Sequence, residues 1–386
     1  MQSPTQDNQK GNKKGLKWPF FVAWLDGNKK KIIPILLLIA LISCLVFLIL
    51  SNGNSGETHG GGSKFAGEIS FSHFNTVSQM SSYGDMTREE FDSYLIRAEQ
   101  KLGYLHKLFD IYYEYSGVDN IKTINKNAGK KSVKVDRELV DFLLYCKELY
   151  TKTNGKTNIM LGSVLKIWHD VREDALDDFG YIDPSRLPTD AELSAAVEHT
   201  SIDLLVIDEE SCTVYISDPL ASIDVGAIAK GYAVDRIAEM LIADGADSVV
   251  LNVGGNIRTI GFKTGEDKWV SGITNPDRES DETIKCRIEI GEESVVTSGD
   301  YERYFVSGDK KYHHIIDPDT LHPAEYFASV TIVTRESALA DALSTALFCM
   351  PYNEGRALID SLPGVEAIWI YRDGNVVQSD GIRYAK

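Results

Sequence analysis

The chain has 386 residues, of which 43% are hydrophobic and 25% charged, a composition typical of globular proteins. Its net charge of −17 is unevenly spread, because residues 1–31 carry +5 and the rest of the chain −22. So acidic a body disfavours non-specific binding to nucleic acid, whose phosphates it would repel. The five cysteines show neither Cys-x-x-Cys nor zinc spacing and imply no disulfide framework.

The N-terminal region divides into a basic tail, an apolar run and a linker. Ile32–Leu50 would span roughly 28 Å as a helix, close to the ~30 Å core of a bilayer. Lys29–Lys31 precede it, so the positive-inside rule predicts a single-pass membrane anchor with a cytoplasmic tail at 1–31 and an extracytoplasmic body. A cleaved signal peptide and a lipid anchor at Cys44 are less favoured alternatives, because the apolar run continues past Cys44 without a cleavage site. The Gly/Ser-rich stretch 51–64 is predicted to be a flexible linker.

Helices dominate the first half of the body, which we place at 65–386. Glu68–Met80 alternates weakly and indicates a strand. Thr87–Asp110 is predicted as an amphipathic helix, because Thr87 has a glutamate three residues later and apolar residues recur at helical spacing. Asp136–Thr153 is predicted as a second helix with an Asp cap, and a third begins at Thr189 with the same capping-box spacing.

Strands dominate the second half. We predict them at Leu204–Ile207, Thr213–Ser217, Ser248–Val253, Ile257–Phe262, Trp269–Thr274, Ile284–Ile290, Tyr301–Val306 and Tyr312–Ile316. A last helix covers Ser337–Met350. Helices early and strands later, with one strand–helix–strand unit between, predict an α+β fold with mixed sheets and packed helices rather than a doubly wound sheet.

Ile223–Arg236 is the first stretch that indicates chemistry. It is predicted to be a short strand through Val225 that runs at once into a helix, and a helix N-terminus with its unpaired N–H groups attracts anions. Lys230 adds a positive charge in the first turn, and Asp224 supplies a carboxylate. A phosphate with a divalent metal fits this turn, and so does an ordinary strand–helix junction with a surface lysine. No dinucleotide fingerprint or Walker A spacing is present, which disfavours a dehydrogenase or a P-loop NTPase.

Asp341 and Thr345 form a second candidate, on the last helix. They are four residues apart, so their oxygens leave the same face one turn apart, as would suit Mg²⁺. A solvent-facing pair is the alternative. Their neighbours are nearly all apolar, however, and a buried Asp341 would need a partner.

Two adjacent histidines form a third candidate. Strand alternation would put Tyr312, His314 and Ile316 on one face and His313 with Ile315 on the other. Opposite faces forbid joint metal ligation, so a general base is the functional interpretation and a surface histidine the alternative.

Taken in order, these stretches resemble the ApbE family, the FAD:protein FMN transferases. The resemblance extends from about Phe71 to the C-terminus and implies a two-lobed, ApbE-like α+β fold held at the outer face of the cytoplasmic membrane. The matching segments are Asp224–Asp235, Asn252–Asn256, Thr297–Tyr301, His314–Pro318 and Ala340–Ala346.

The resemblance implies Mg²⁺-dependent transfer of FMN from FAD to a Thr or Ser hydroxyl of an acceptor protein, with release of AMP. By position, it places the metal on the carbonyl of Ala227 and on Asp341 and Thr345. It also implies His314 as the base. The implied FAD contacts are Asp224, Lys230, His314, Ile315, Lys156, Thr157 and Asn158.

The sequence departs from the family pattern at three places. Phe74-Asn75-Thr76 stands where Met-Gly-Thr is usual, Asn158 where Asp is common, and Asp319-Thr320-Leu321 where Arg-Thr-Gly is usual. Two other functions stay open at this point: a metal-dependent FAD pyrophosphatase giving FMN and AMP, and a non-catalytic, membrane-tethered flavin-binding protein. A binding protein would not need Asp341 and Thr345. Transfer and hydrolysis use the same metal site and differ only in the acceptor.

Overall fold

An eight-stranded sheet is the largest element of the fold. A computed structural model describes residues 65–263 and 265–385 of the chain. Its strands are β1 (Phe65–Ser70), β2 (Ser78–Ser82), β3 (Val133–Lys134), β4 (Leu205–Asp208), β5 (Thr213–Ile216), β6 (Val249–Val253), β7 (Asn256–Ile260), β8 (Trp269–Thr274), β9 (Ile284–Ile290), β10 (Ser294–Gly299), β11 (Tyr304–Ser307), β12 (Lys310–His313), β13 (Ser329–Thr334), β14 (Glu366–Ile370), β15 (Val376–Gln378) and β16 (Arg383–Tyr384). Its helices are α1 (Arg88–Phe109), α2 (Ile121–Lys126), α3 (Arg137–Lys152), α4 (Gly162–Asp177), α5 (Asp190–Val197), α6 (Ala229–Ala243), α7 (Ser337–Phe348) and α8 (Tyr352–Asp360), with 3₁₀ turns at His73–Asn75, Pro184–Arg186 and Ile202–Leu204.

The large sheet has the strand order β1-β2-β6-β7-β10-β13-β14-β15, and its neighbouring strands pair antiparallel. Two three-stranded sheets, β16-β9-β8 and β3-β5-β4, and the β11–β12 hairpin are antiparallel too. The predicted α+β class is confirmed, but the expectation of mixed sheets is wrong for these strands. The predicted strand at Ile223–Val225 is absent, so no strand–helix–strand unit supplies a parallel pair.

The large sheet is covered on both faces. Helices α1, α3, α6 and α7 contribute to the main hydrophobic core on one face, together with Val330 and Ile332 of β13. The small sheet β16-β9-β8 covers the other face, where Val333 and Ile368 join a second core. All six residues of β13 are therefore buried. Helix α7 is almost wholly buried as well, because it lies between α6 and the strands β10 and β13.

The three helix starts predicted from capping residues are confirmed. Thr87 and Thr189 each accept a hydrogen bond from the backbone of a glutamate three residues later, and that glutamate bonds back to the cap. Asp136 caps α3 by accepting from the Glu138 N–H. In each case a short polar side chain satisfies a donor that the helix start leaves unpaired.

Several predictions on the body need correction. Glu68–Met80 is a hairpin rather than one strand, with β1 and β2 joined around His73–Asn75. The last predicted helix ends at Phe348, and a further helix follows Pro351. The described residues belong to one compact unit, so the two lobes implied by the resemblance are not separate.

The predicted tail, membrane anchor and linker, residues 1–64, lie outside the described residues. Within the described part of the chain, no helix is both long enough and apolar enough to cross a bilayer. The anchor at Ile32–Leu50 and the lipid anchor at Cys44 therefore stay predictions.

Candidate functional site

One cavity of about 630 Å³ collects the residues that the sequence singled out. It is lined by the start of α6, by α7, by the turn after α3, by the end of β10 and by the segment after β12. All of the predicted metal and FAD residues line it: Lys156, Thr157, Asn158, Asp224, Ala227, Lys230, His314, Ile315, Asp341 and Thr345. Residues far apart in the chain thus meet at one site, while their individual roles stay predictions.

The start of α6 faces this cavity. Helix α6 begins at Ala229, later than predicted, after a turn at Gly226–Ile228. Asp224 holds the turn, because its Oδ1 accepts a hydrogen bond of 2.9 Å from the Gly226 N–H. Ile228, the residue before α6, gives no side-chain cap, and Ala227, Ala229 and Lys230 line the cavity. The positive end of the helix dipole therefore faces the cavity and attracts anions, and the carboxylate of Asp341 already accepts from one of its N–H groups, that of Gly231.

Lys230 and Asp341 connect α6 to α7. The Lys230 Nζ lies 3.2 Å and 3.3 Å from the two carboxylate oxygens of Asp341 and 3.1 Å from Asn256 Oδ1. The Gly231 N–H donates to Asp341 Oδ2 at 3.0 Å. Asp341 is buried, so the partner that its apolar neighbours required is present.

A second carboxylate, Asp235, connects the same helices in the opposite direction. Its two oxygens accept hydrogen bonds of 2.8 Å from the Ser337 and Ala338 N–H groups at the start of α7, which has no cap of its own. Burial raises the pKa of Asp235 to about 6, although the two N–H groups and Arg258 lower it in part. Each helix thus holds the other through one carboxylate. Sequence reasoning missed this role, because Asp235 reads as an ordinary polar residue in mid-helix.

The two helices also approach closely. A Cβ atom on Gly231 would overlap the carbonyl group of Ser337 and the Cα of Ala338. Only glycine allows this backbone contact, which brings Lys230 and Asp341 within reach of each other.

His314 lines the cavity with a ring nitrogen that no described residue bonds. Its Nδ1 is buried and has no hydrogen-bond partner among the described residues. Burial, with the positive charge of Arg303 and then of His313, lowers the pKa of His314 well below its ordinary value of 6.5. The imidazole is therefore neutral near pH 7 and available as a base.

The neighbouring histidine has a structural role. The Ile315 N–H donates to His313 Nδ1, so His313 Nε2 donates to the Ala324 carbonyl, 2.8 Å away. Burial lowers the pKa of His313 to about 4. The predicted alternation across Tyr312–Ile316 is wrong beyond His313, where β12 ends, and His314 and Ile315 both line the cavity.

The turn after α3 is bonded to the rest of the site rather than free. Thr157 Oγ1 donates to the Ala342 carbonyl of α7 at 2.7 Å. Asn158 Nδ2 donates to the Thr200 carbonyl, and Asn158 Oδ1 accepts from the Met160 N–H. These contacts fix the turn against α7 at the cavity wall.

The oxygen donors of the cavity fit a small, hard cation. Asp341 offers a carboxylate, Thr345 a hydroxyl and Ala227 a carbonyl, and Mg²⁺ takes few such ligands while keeping water and phosphate oxygens. In the described part of the chain, no group of three or more His, Cys, Asp or Glu side chains could hold a metal. A cation here would share Asp341 with Lys230 and take its other ligands from neutral oxygens and from substrate.

Comparison with known proteins decides the family. The sequence profile of the ApbE family matches residues 74–369. The chain belongs to the ApbE family. It is 34% identical over 271 residues to the FAD:protein FMN transferase of Treponema pallidum, which covers 68% of this chain and 73% of that protein. The enzyme of the same name from Klebsiella pneumoniae is 29% identical over 260 residues, covering 67% and 77%.

A solved structure of the family has the same fold. The crystal structure of the ApbE protein from Thermotoga maritima superposes with a TM-score of 0.70 at 27% identity, covering 82% of this chain and 97% of that one. The ApbE-like fold implied by the resemblance is therefore confirmed for the body.

The structure accounts for two departures from the ApbE pattern. Phe74 and Asn75 have φ angles of 56° and 53°, in the left-handed region that glycine, the family's usual residue, adopts without strain. The ring of Phe74 lies beside His106 at the cavity wall. Asp319, in place of Arg, accepts from the Lys156 Nζ at 2.8 Å, as Asp317 also does. Lys156 is thereby fixed between two carboxylates.

Further residues line the cavity that sequence reasoning did not single out. An aromatic wall comes from α1 and the segment after it, and a basic pair lies on α4 and before β11. They are His106, Phe109, Tyr112, Tyr113, Tyr115, Arg172 and Arg303. Apart from the apolar spacing of Phe109, nothing in the local sequence marks them, because the cavity is assembled from distant segments.

Proposed function

We propose that this ApbE-family protein transfers the FMN part of FAD to a Ser or Thr hydroxyl of an acceptor protein and releases AMP. One observation carries the proposal: the start of α6, with Lys230, lines the same cavity as a neutral His314 whose Nδ1 has no partner among the described residues. An anion pole and a base are what phosphoryl transfer to a hydroxyl requires. The names and identities of the relatives support it.

Lys230 and the α6 N-terminus would bind the pyrophosphate of FAD. Their charge is fixed in place before the substrate arrives, since Lys230 is held by Asn256 and Asp341. Donors that are already oriented stabilise charge without rearranging during the reaction. They would neutralise the negative charge that grows on the AMP phosphate as the bond to it breaks.

His314 would take the proton of the accepting hydroxyl. The hydroxyl oxygen bonds to the phosphorus of the FMN phosphate, and the bond from this phosphorus to the bridging oxygen of the pyrophosphate breaks. That oxygen leaves with AMP, so the product is a phosphodiester between the acceptor and riboflavin. A neutral imidazole with a free nitrogen suits the proton transfer.

Mg²⁺ is part of the proposal. Asp341, Thr345 and the Ala227 carbonyl would hold it, and it would supply a positive charge to the pyrophosphate oxygens. Asp224, Ile315 and the Lys156–Asn158 turn are proposed FAD contacts, because they line the same cavity.

We also propose that the body works on the extracytoplasmic side of the cell membrane, anchored through Ile32–Leu50. The basic flank at Lys29–Lys31 and the length of the apolar run support this orientation.

A transfer assay tests the function. The full-length chain is incubated with FAD, Mg²⁺ and a pool of short synthetic peptides, each with one central Thr. We expect denaturation-resistant flavin fluorescence on peptide, with an equal amount of AMP. Asp341→Ala should lower the rate by about 10³-fold, because the pyrophosphate loses its metal. The matched control is Asp360→Ala, which removes an exposed carboxylate on α8 that pairs with Arg356.

Two outcomes would contradict the proposal. Labelling that persists at full rate without metal, or in Asp341→Ala, would exclude the metal site. AMP and free FMN in equal amounts, with no labelled peptide, would favour the pyrophosphatase.

A further inference from the structure

Two arginines at the cavity form no direct ion pair with a described residue, although Glu173 and Asp224 lie near enough to Arg172 to act on its charge. Arg172 on α4 and Arg303 just before β11 both line the cavity. Neither guanidinium forms a hydrogen bond or an ion pair with another residue in the described part of the chain, whereas Arg137, Arg186 and Arg356 pair with carboxylates. Burial, and then repulsion by Arg303, lower the pKa of Arg172. Two neighbouring guanidinium groups that pair directly with no described carboxylate leave their N–H donors available to an anion.

An exposed apolar patch continues from these arginines. Leu176 lies one turn after Arg172 on α4, Phe179 follows at the end of the helix, and Tyr304 follows Arg303. The segment after Phe179 is bonded to β11, because the Val306 N–H donates to the Gly180 carbonyl at 2.8 Å and Tyr181 bridges to Val306. Leu176 is 67% exposed, Phe179 fully exposed, Tyr181 42% and Tyr304 45%. We name the rim by its six residues: Arg172, Leu176, Phe179, Tyr181, Arg303 and Tyr304.

Phe179 is unfavourable where it stands unless something covers it. Its φ of 54° lies in the left-handed region, which an aromatic residue rarely adopts. Its ring is also left entirely in water. Clustered, exposed apolar side chains beside a cavity mark a surface that binds another molecule.

We propose that the rim binds the acceptor protein, through a carboxylate and an apolar side chain that flank its accepting hydroxyl. The inference rests on the proposed FMN transfer, which requires a segment of another protein to reach a hydroxyl into the cavity. The body as a whole is strongly acidic and repels acidic partners, whereas the rim offers two guanidinium groups that no carboxylate of the described residues pairs with directly. FAD has its own anion pole at Lys230 and α6.

Charge reversal at the rim tests the inference. The full-length chain, FAD and Mg²⁺ are given a peptide library with a central Thr and random flanks, and flavin-labelled peptides are sequenced. Wild type should enrich Asp or Glu and an apolar residue near the Thr. Arg172→Glu with Arg303→Glu should replace the acidic preference by Lys or Arg, a change of about tenfold in enrichment. Phe179→Ser with Tyr304→Ser should remove the apolar preference.

Matched controls lie outside the cavity lining. Arg88→Glu makes the same charge change at an exposed residue paired with Asp92, and Leu220→Ser removes an apolar side chain that is 65% exposed. Both should keep the wild-type preferences. FAD affinity is measured in parallel by quenching of flavin fluorescence and should stay within about twofold in the rim variants.

Three results would count against the inference. FAD affinity that falls tenfold in the arginine variants, with unchanged peptide preference, would assign the arginines to a phosphate of FAD. Unchanged preference with unchanged FAD affinity would leave the rim without a role in recognition. Wild type that labels no peptide would contradict the proposed transfer and, with it, the inference, which rests on that transfer.

Discussion

The two sides of the cavity differ in how far their polar groups are already bonded. On the α6–α7 side, Lys230 and Asp341 are held by partners within the protein, and Asp235, which lies outside the cavity lining, joins the same two helices. On the side of His314 and Arg172, an imidazole nitrogen and a guanidinium have none among the described residues. The bonded side is built before substrate arrives, while the open side depends on what binds. Substitutions on the open side should therefore change catalysis alone, and those on the bonded side should change catalysis and stability together.

His314→Gln tests the open side and should have the largest effect. Loss of a general base lowers kcat by about 10²–10⁴-fold, while the free energy of unfolding should change little because the imidazole Nδ1 has no bond to lose. The wild-type rate should stay level between pH 8 and pH 6, since the pKa of His314 lies well below 6.5 and the neutral base is lost only as pH falls through that lowered pKa. Quenched time-course assays of flavin transfer measure kcat, and urea unfolding measures the free energy of unfolding. A variant that unfolds at lower urea concentration with unchanged kcat would mean that His314 stabilises the fold and takes no part in catalysis.

Gly231→Ala tests the bonded side. The added Cβ would push α7 away from α6, which we expect to cost about 1–3 kcal/mol of stability and up to about 10²-fold in transfer rate, because Asp341 and Thr345 move with the helix. Gly355→Ala on α8 is the matched control, since a Cβ there meets only ordinary contacts. Both losses should appear in Gly231→Ala and neither in the control. A Gly231→Ala variant with reduced stability but full transfer activity would show that stability and catalysis do not depend on the same contact.

Asp235→Asn tests the bonded side further and should have a smaller effect, measured on stability. Because the pKa of Asp235 is raised from 3.8 to about 6 on folding, its protonated form stabilises the fold fully below pH 3.8, and that stabilisation is lost as pH rises through 6. The unfolding free energy of wild type minus that of Asp235→Asn should fall by roughly 1–3 kcal/mol between pH 4 and pH 6, then level off. Urea unfolding at stepped pH gives this difference. A difference independent of pH would mean that Asp235 does not titrate in that range.

The sequence indicated those site residues whose role shows in the spacing within a single helix or turn. Asp341 and Thr345 share a helix face, and Lys230 follows a turn into a helix, so spacing alone indicated a site. The resemblance supplied Lys156 and Ala227. The contacts that join α6 to α7 could not be read from the sequence. Asp235 and Gly231 make them with residues of α7 that lie far away in the chain.

The central strands were missed for a related reason. Ser329–Thr334 is buried on both faces, and its polar and apolar residues alternate only as far as Ile332, a signal too short to separate it from its surroundings. Ile223–Val225 gave the opposite error. Its apolar residues alternate, yet its backbone is hydrogen-bonded to the side chain of Asn125 and to the Ile159 carbonyl instead of to a neighbouring strand.

The backbone contact at Gly231 also constrains how this site can evolve. No side chain lies between the two helices there, so a larger residue cannot be absorbed by a rotamer change nearby. Ser337, Ala338 and the carboxylate of Asp341 would have to shift together with it. Residues at the α6–α7 contact are therefore expected to change together or not at all. Changes in substrate preference are expected at other residues of the cavity wall.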